Sequence, residues 1–322
     1  MSDTKTTCYF IVNPRAGSGK TLCEWIPAER KLEKWGFSFV TAMTDHKKHA
    51  TELAMEAASE GYRTIIAVGG DGSLHEVFNG VCRWCEDNGV STEEFTVGVV
   101  PIGSGNDWIK SLDVPHDVEE VINLIFKSST RRMDVFKLRC KRSDGSDKSC
   151  FMANIGGVGF DSHVCQRVNA QKERGRRGKL IYLNALRYTI LSLRANNVSV
   201  LADGREVFSG PCYSISLGNG RYSGSGMRQT PLAEIDDELV DYMIIPRLTL
   251  LRIVREIPRL FNGSLCECPY IHWGKCRQLQ IVPLDSASED LIEVDGELEG
   301  VLPLSVEYTA QKINVISGKT GE

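Results

Sequence analysis

The 322-residue chain has no apolar run long enough to cross a bilayer, which excludes a membrane-spanning helix. It has no excess of positive charge. Its 38 Lys and Arg stand against 42 Asp and Glu, for a net charge of −4. That excludes the global basic field of a nucleic-acid binder and leaves attraction to an anionic surface to a local patch. It has no charged start followed by an apolar core: Met1 to Thr7 is polar and passes directly into Cys8-Tyr9-Phe10-Ile11-Val12, so no signal peptide is expected. Its eleven cysteines include no zinc framework. Cys82-Arg83-Trp84-Cys85 has the spacing of half a site, but Cys266, Cys268 and Cys276 supply no matching pair. Cys82 and Cys85 fall on one apolar face of a predicted helix, so they are expected to be buried reduced thiols in a reducing, cytoplasmic setting. There is no internal repeat and no low-complexity linker.

What is present is, first, an alternation of strand and helix. Tyr9–Val12, Phe37–Val40, Thr64–Val68 and Thr96–Val100 read as strands. Leu22–Trp35, His49–Ala58, Leu74–Cys85 and Val118–Phe126 read as helices. Apolar strands between helices predict a parallel sheet covered on both faces. Near Arg131 the texture changes. Short strands, among them Phe151–Ile155, Tyr213–Leu217 and Val240–Ile245, follow one another, with turn sequences at Ser143-Asp144-Gly145-Ser146 and Ala202-Asp203-Gly204-Arg205. This predicts an antiparallel, β-rich second domain. Two helical patches interrupt it, Leu180–Leu193 and Leu250–Leu260, the latter broken by Pro258. The expected division is 1–132 with a returning C-terminal strand at about 306–322, and 133–305.

Three small-residue loops follow the predicted parallel strands. Asn13-Pro14-Arg15-Ala16-Gly17-Ser18-Gly19-Lys20-Thr21 ends like a P-loop, but Pro14 stands where that motif needs its first glycine. A strand, a loop of small residues and a helix N-terminus still suit an anion, and a plain turn remains the alternative. Val68-Gly69-Gly70-Asp71-Gly72-Ser73-Leu74-His75-Glu76 also opens a helix. Its three glycines permit close backbone approach and positive φ. The Asp71 carboxylate suits a phosphate-bound magnesium ion or a substrate hydroxyl, because it would repel a bare phosphate. The dinucleotide fingerprint G-x-G-x-x-G is absent from this segment. Pro101-Ile102-Gly103-Ser104-Gly105-Asn106-Asp107-Trp108 is the third loop. Three such loops at one sheet edge form a ligand-binding arrangement.

Three further segments carry two readings each. Leu232 to Asp241, with Glu234, Asp236, Asp237 and Glu238, is either a turn between strands or an oxygen-rich cation loop. Glu293-Val294-Asp295-Gly296-Glu297 is either a hairpin turn or, if the fold returns Glu297 to the phosphate loops, part of a site. Lys172 to Lys179, with five basic residues and one acid, is either a solvated loop or a contact with anionic lipid.

Together these segments resemble the diacylglycerol kinase catalytic-domain family, in its bacterial lipid kinase branch, which is related to sphingosine and ceramide kinases. The landmarks are Asn13-Pro14 with Gly17, Gly69 to Leu74 with Glu76 and Asn79-Gly80, Gly103 to Asp107, Asn154 with Gly156 and Gly159, and Asp295-Gly296-Glu297. The match covers nearly the whole chain. NAD kinases share the Gly-Gly-Asp-Gly turn, and the Gly-Ser-Gly-Asn-Asp stretch separates the lipid kinases from them. Departures are His75 for a frequent asparagine, Ser73 and Ser104 for threonine, Glu238 for a common glycine and Trp108 for phenylalanine.

The resemblance implies an α/β fold: an N-terminal three-layer α/β nucleotide-binding domain and a C-terminal β-sandwich, with the active site in a cleft between them. It implies an ATP-dependent kinase acting on a lipid hydroxyl such as that of diacylglycerol. The alternatives it leaves are a sphingoid-base or ceramide kinase, an NAD kinase-like enzyme with a soluble acceptor, and a non-catalytic nucleotide or lipid sensor. By position, ATP falls to Asn13, Pro14, Arg15, Ala16, Gly17, Thr44, Gly69, Gly70, Asp71, Gly72, Ser73, Leu74, His75 and Ser104. Glu297 matches the general base, with Asp71 and Asp295 as the accompanying catalytic acids. A structural Mg2+ falls to Glu234, Asp237 and Leu239. The implied setting is cytoplasmic, with transient peripheral contact at a membrane surface carrying the lipid acceptor, a role in phospholipid biosynthesis, no nucleic-acid partner and a homodimer as one possible assembly.

Overall fold

The computed structural model describes residues 7–103, 105–173, 185, 188–189, 194–285 and 290–318. The chain divides into two units, Met1–Asp134 with Gln311–Glu322, and Val135–Ala310.

The first unit is built on four parallel strands, β1 (Cys8–Val12), β2 (Phe39–Met43), β3 (Thr64–Gly69) and β4 (Thr96–Pro101), in the order β2-β1-β3-β4. Every residue of β1 is buried, and β3 and β4 are buried beyond their first residue. That pattern requires cover on both faces. Helices α1 (Thr21–Lys34), α2 (His49–Ser59), α3 (Asp71–Asn88), the short α4 (Trp108–Ser111) and α5 (Val118–Phe126) follow the strands. α1 packs with α5 and α2 with α3. The α2–α3 contact is close because Gly80 faces Thr51: a Cβ there would lie 2.5 Å from the Thr51 carbonyl oxygen.

The second strand begins two residues later than its sequence predicts, because Phe37 belongs to the end of α1. Gly36 takes φ +67°, its N–H donates to Glu33 O, and the Phe37 N–H donates to Leu32 O. This glycine-terminated double bond satisfies the last carbonyls of the helix and delays the strand.

The second unit is antiparallel. It contains hairpins of β5 (Thr130–Lys141) with β6 (Asp147–Met152) and of β8 (Asn196–Ala202) with β9 (Arg205–Gly218). Also present are β7 (Ile155–Gly159), α6 (Phe160–Glu173), β10 (Val240–Pro246), α7 (Leu250–Asn262), β11 (His272–Cys276), β12 (Gln278–Pro283), β13 (Leu291–Val294) and β14 (Glu297–Ile316). One sheet runs β11-β10-β9-β7-β13-β14. A second runs β9-β8-β12-β14-β5-β6. β9 and β14 serve both: β9 pairs β8 up to Cys212, β10 from Cys212 and β7 from Ser214, and β14 pairs β13 at its start and β12 further on. Phe136, Leu138, Val200, Ile215, Leu279, Ile281 and Leu304 fill the core between them. Each such side chain contributes about 1.5–3 kcal/mol by leaving water.

Strands β5 and β14 carry the chain between the units. The end of β14 adds a fifth parallel strand to the first unit, with Asn314 and Val315 opposite Thr96 and Val97 of β4. Beside it Lys312 Nζ lies 2.9 Å from the fully buried Asp134 carboxylate.

Three expectations change in detail. Phe151–Ile155 is not one strand: the chain breaks at Ala153-Asn154 between β6 and β7. Pro258 does not break its helix, which continues to Asn262. Pro258 lies on the exposed side, where water can meet the carbonyl that loses its partner. The third helix starts at Asp71, a turn before Leu74. The predicted helix Leu180–Leu193 lies almost wholly outside the described residues, as does the basic stretch from Arg174 to Lys179.

Candidate functional site

β1, β3 and β4 lie side by side and parallel, so the three glycine-rich loops leave the sheet at one edge. The structure interlocks them. Asn13, just beyond β1, donates from its side chain to Ser73 Oγ at 3.1 Å and accepts the Arg15 N–H on its own oxygen. Its backbone N–H donates to Val68 O at 3.0 Å. Thr44, beyond β2, is buried and donates its N–H to Val12 O. Four of the residues expected to hold nucleotide, Asn13, Thr44, Gly69 and Ser73, are thus at or beside the same strand ends.

The glycines do their work through close approach. None of Gly69, Gly70 and Gly72 takes a positive φ, contrary to one expectation. A Cβ on Gly69 would lie 2.4 Å from Ser73 Oγ, and one on Gly103 would lie 2.6 Å from the Gly70 Cα. Gly17 does need its left-handed φ of +55°, and a Cβ there would lie 2.9 Å from Ile102 O. The third loop therefore touches each of the other two at a glycine where a side chain would clash, and Gly69 lies as close to Ser73 of its own loop.

Asp71 is the first residue of α3, and its carboxylate spans to the third loop. Oδ2 accepts the Asp107 N–H at 3.3 Å and Oδ1 the Trp108 N–H at 3.4 Å, where α4 begins. Asn106, at φ +50°, donates to Pro101 O and Gly103 O and holds the loop folded on itself. Ser73 and Leu74 donate their N–H groups to Gly70 O, which winds the first turn of α3. The N-terminus of this 18-residue helix turns its positive dipole end toward the loops, a setting for phosphate oxygens. His75 is buried in the same turn region beside Asn79, whose side chain donates to His75 O at 3.0 Å. Pro14, Ala16 and Leu74 complete the stretch, Arg15 is exposed, and Ser104 lies outside the described residues.

Two features at this edge escaped the sequence reading. Glu76 accepts the backbone N–H groups of Lys48 and Ala50, at 3.0 and 3.2 Å, so it caps α2 from the neighbouring helix. Asp45, His46 and His49 bring ligand-type atoms within 4.8 Å of one another where the loop after β2 enters α2. Their D-H-x-x-H spacing was the only signal, and the two rings stack at 4.4 Å.

In the second unit the Asp295-Gly296 turn joins β13 to β14. Asp295 takes φ +52° and is buried. Its carboxylate accepts three backbone N–H groups, from Ala153 (3.0 Å), Asn154 (2.8 Å) and Ile155 (3.1 Å). These are the amides freed by the break between β6 and β7. Asp295 thus closes a corner, while Glu297 starts β14 opposite Val294. Gly157 and Gly159 of β7 lie under strand β9, where a Cβ would meet the carbonyls of Ile215 at 2.7 Å and Tyr213 at 2.5 Å.

The acidic loop before β10 was expected to hold magnesium through Glu234, Asp237 and Leu239. Glu238 takes φ +65°, so it adopts the left-handed geometry in place of glycine. The carboxylate of Asp237, however, is already engaged. Lys275 Nζ lies 2.6 Å from its Oδ2, and Oδ1 accepts the Leu239 N–H at 3.1 Å. Lys275 also lies 3.3 Å from Asp241, and Arg277 pairs with Glu238 at 2.6 Å. Burial pushes the Asp241 carboxyl up to about 6, against the opposing pull of Lys275. A hard dication needs open oxygen lone pairs and no competing ammonium. The residues present do not fit a magnesium ion held through Asp237; the Lys275 ammonium supplies the positive charge there.

Cys82 and Cys85 are buried on one face of α3, and burial pushes the Cys85 thiol up to about 12. Among the described residues no helix is long and apolar enough to cross a membrane.

Against known proteins, residues 7–138 match the diacylglycerol kinase catalytic domain, and residues 155–317 match the YegS C-terminal NAD kinase beta sandwich-like domain. A protein named "Probable lipid kinase YegS-like" from Chromohalobacter salexigens is 26% identical over 304 residues, covering 90% of each chain. A diacylglycerol kinase from Bacillus subtilis is 26% identical over 314 residues, covering 96% of each. The crystal structure of a diacylglycerol kinase from Bacillus anthracis superposes with a TM-score of 0.70 at 21% identity, covering 98% of both chains. That likeness shows the shared fold.

Proposed function

The chain belongs to the diacylglycerol kinase catalytic-domain family, and on that premise we propose that it is an ATP-dependent lipid kinase that transfers the γ-phosphoryl group to a lipid hydroxyl, diacylglycerol being the first acceptor to test. The observation that carries this reading is the interlock of the three loops at one sheet edge, Asn13 to Ser73, Gly70 to Gly103 and Asp71 to Trp108. Phosphoryl transfer asks mainly for positioning and charge stabilisation. A rigid set of glycine-lined turns beside a helix N-terminus supplies both.

In this reading the ATP phosphates lie along Asn13–Gly17, Gly69–His75 and Ser104, with Thr44 beside them. Asp71 positions the loop that meets the donor. Its carboxylate also suits the magnesium ion that accompanies ATP, which when bound spreads the phosphate charge. Glu297 takes the proton from the acceptor hydroxyl as it attacks, a role worth about 10²–10⁴-fold in rate. Asp295 holds the corner from which Glu297 departs. The eleven free thiols accord with a cytoplasmic setting.

The test is turnover of labelled ATP against a panel of diacylglycerol, monoacylglycerol, sphingoid base, ceramide and phosphatidylglycerol in mixed micelles. A phosphorylated lipid supports the proposal, and its identity names the acceptor. Phosphorylation of a water-soluble acceptor such as NAD with no lipid product overturns it. ATP binding without any product overturns it in favour of a sensor.

A further inference from the structure

Helix α7 has an apolar face that the protein itself leaves open. Leu250, Leu251, Val254 and Phe261 are 52%, 81%, 52% and 50% exposed, and Pro258 is exposed among them. At 3.6 residues per turn these five positions fall within an arc of about 100°. Ile253, Ile257 and Leu260 occupy the adjoining arc and are half-buried. Leu260 packs on Met243, Leu265, Cys268 and Ile271. The helix therefore has an apolar half-cylinder. Half of it rests on the second unit and half meets solvent. No residue of α7 is fully buried.

The remaining face is cationic. Arg252, Arg255 and Arg259 lie on it, with Glu256 as the one acid. Glu256 and Glu267 engage Arg259. Arg252 stacks over the exposed Tyr270 ring at 4.6 Å, and both Arg252 and Arg255 are exposed. Arg247 is exposed just before the helix. A chain with net charge −4 thus concentrates arginine beside the most exposed large aliphatic side chains among the described residues. Apolar side chains on one face, arginines along the flank and an aromatic at the border are what an in-plane membrane helix requires.

We propose that α7 is the membrane-docking element of this protein. It lies in the interface of an anionic phospholipid bilayer, with Leu250, Leu251, Val254, Pro258 and Phe261 among the acyl chains and Arg252 and Arg255 at the headgroups. A second copy of the chain is a poorer occupant, because a two-fold contact through this face would set arginine flank against arginine flank. The cavity under Leu260, lined also by Phe160, Met227, Met243 and Leu265, offers about 20 Å³. That is room for a water molecule and not for an acyl chain, so the contact is a surface one. Membrane docking deepens the lipid-kinase reading, on which its biological purpose rests, and its test needs no turnover.

The test is co-flotation of the full chain with vesicles of phosphatidylcholine alone or mixed equally with phosphatidylglycerol. Binding to the mixed vesicles is expected, weakened at least tenfold by Leu251→Gln combined with Phe261→Gln. Arg252→Gln with Arg255→Gln should remove the preference for phosphatidylglycerol and its salt dependence. These positions are exposed, so unchanged thermal melting is expected and confirms that each variant is folded. Wild-type flotation by the Leu251/Phe261 variant overturns the proposal. So does a wild-type dimer in solution that the same variant dissolves. If vesicles bind but no lipid is phosphorylated, the docking surface stands and the kinase reading falls.

Discussion

The Asp71 carboxylate accepts the backbone N–H of Trp108 at 3.4 Å, across from one glycine-rich loop to the next. With the Asp107 N–H on its other oxygen, this acid fixes the start of α4, in addition to the role proposed for it toward phosphate and magnesium. A single substitution should therefore move two readouts. Asp71→Asn keeps one accepting oxygen and turns an amide NH2 toward a backbone N–H. We expect a stability loss of about 1 kcal/mol, the scale of one compromised hydrogen bond, and a fall in kcat of at least about 10²-fold from lost phosphate and metal positioning. Thermal melting and ATP turnover measured together check this; unchanged kcat with reduced stability would leave Asp71 a brace only.

Glu297 and Asp295 should separate in the opposite way. Glu297→Gln is expected to lower kcat by about 10²–10⁴-fold with melting nearly unchanged. Asp295→Ala strips the acceptor from three buried amides, which should cost about 2–4 kcal/mol of stability. Near-wild-type turnover by a folded Glu297→Gln enzyme would remove Glu297 from the mechanism.

Gly69→Ala places a methyl 2.4 Å from Ser73 Oγ and 2.8 Å from Ser73 Cβ. Overpacking of this kind costs about 1–3 kcal/mol. Adding Ser73→Gly should restore the stability, because both clashing atoms are gone. It should not restore ATP affinity, because Ser73 Oγ is also the acceptor of the Asn13 side chain. Calorimetric titration with ATP beside thermal melting distinguishes the two effects.

The acidic loop should respond to pH and not to chelators. Asp241 is pushed up to about 6 from 3.8, so between those values the folded chain holds a proton that the unfolded chain releases. Stability is then expected to fall as pH rises from about 4 through 6, by at most about 3 kcal/mol for this group. Asp241→Asn should flatten that slope. Because Lys275 supplies the local positive charge, EDTA should leave the melting temperature unchanged, whereas Lys275→Met should lower it by leaving Asp237 and Asp241 unpaired.

Much of the first unit was legible because its signals are local. Apolar runs such as Thr64–Val68 followed by glycines name a strand and its turn without knowledge of neighbours, whereas the close approach of Gly80 to Thr51 depends on a second helix and has no local signal. From its residues alone the second unit was legible as hairpins, and its β-sandwich came from the family resemblance, which the matched C-terminal domain bears out. That β9 and β14 belong to both sheets follows from contacts far apart in sequence. The metal loop shows the limit most clearly. Glu234, Asp237 and Leu239 present the right residue types, yet Lys275 lies 38 positions beyond Asp237, and no local pattern announces that its ammonium comes back to it. Likewise, the glycines at 69 and 70 were noticed, but their purpose is contact with Ser73 and Gly103 and not an unusual φ.

The returning end of β14 has a temporal consequence. Strand β4 receives Asn314 and Val315 as its partner, and Asp134 receives the Lys312 ammonium, only when the segment from Gln311 onward is in place. During synthesis the first unit must therefore wait, with one edge of its sheet unpaired and the Asp134 carboxylate without its ammonium, while the 176 residues from Val135 to Ala310 emerge. Completion of this sheet is thus tied to the emergence of residues beyond Ala310, so that a ribosome-bound fragment ending before them has the glycine-rich loops but lacks the strand that finishes the sheet beneath them.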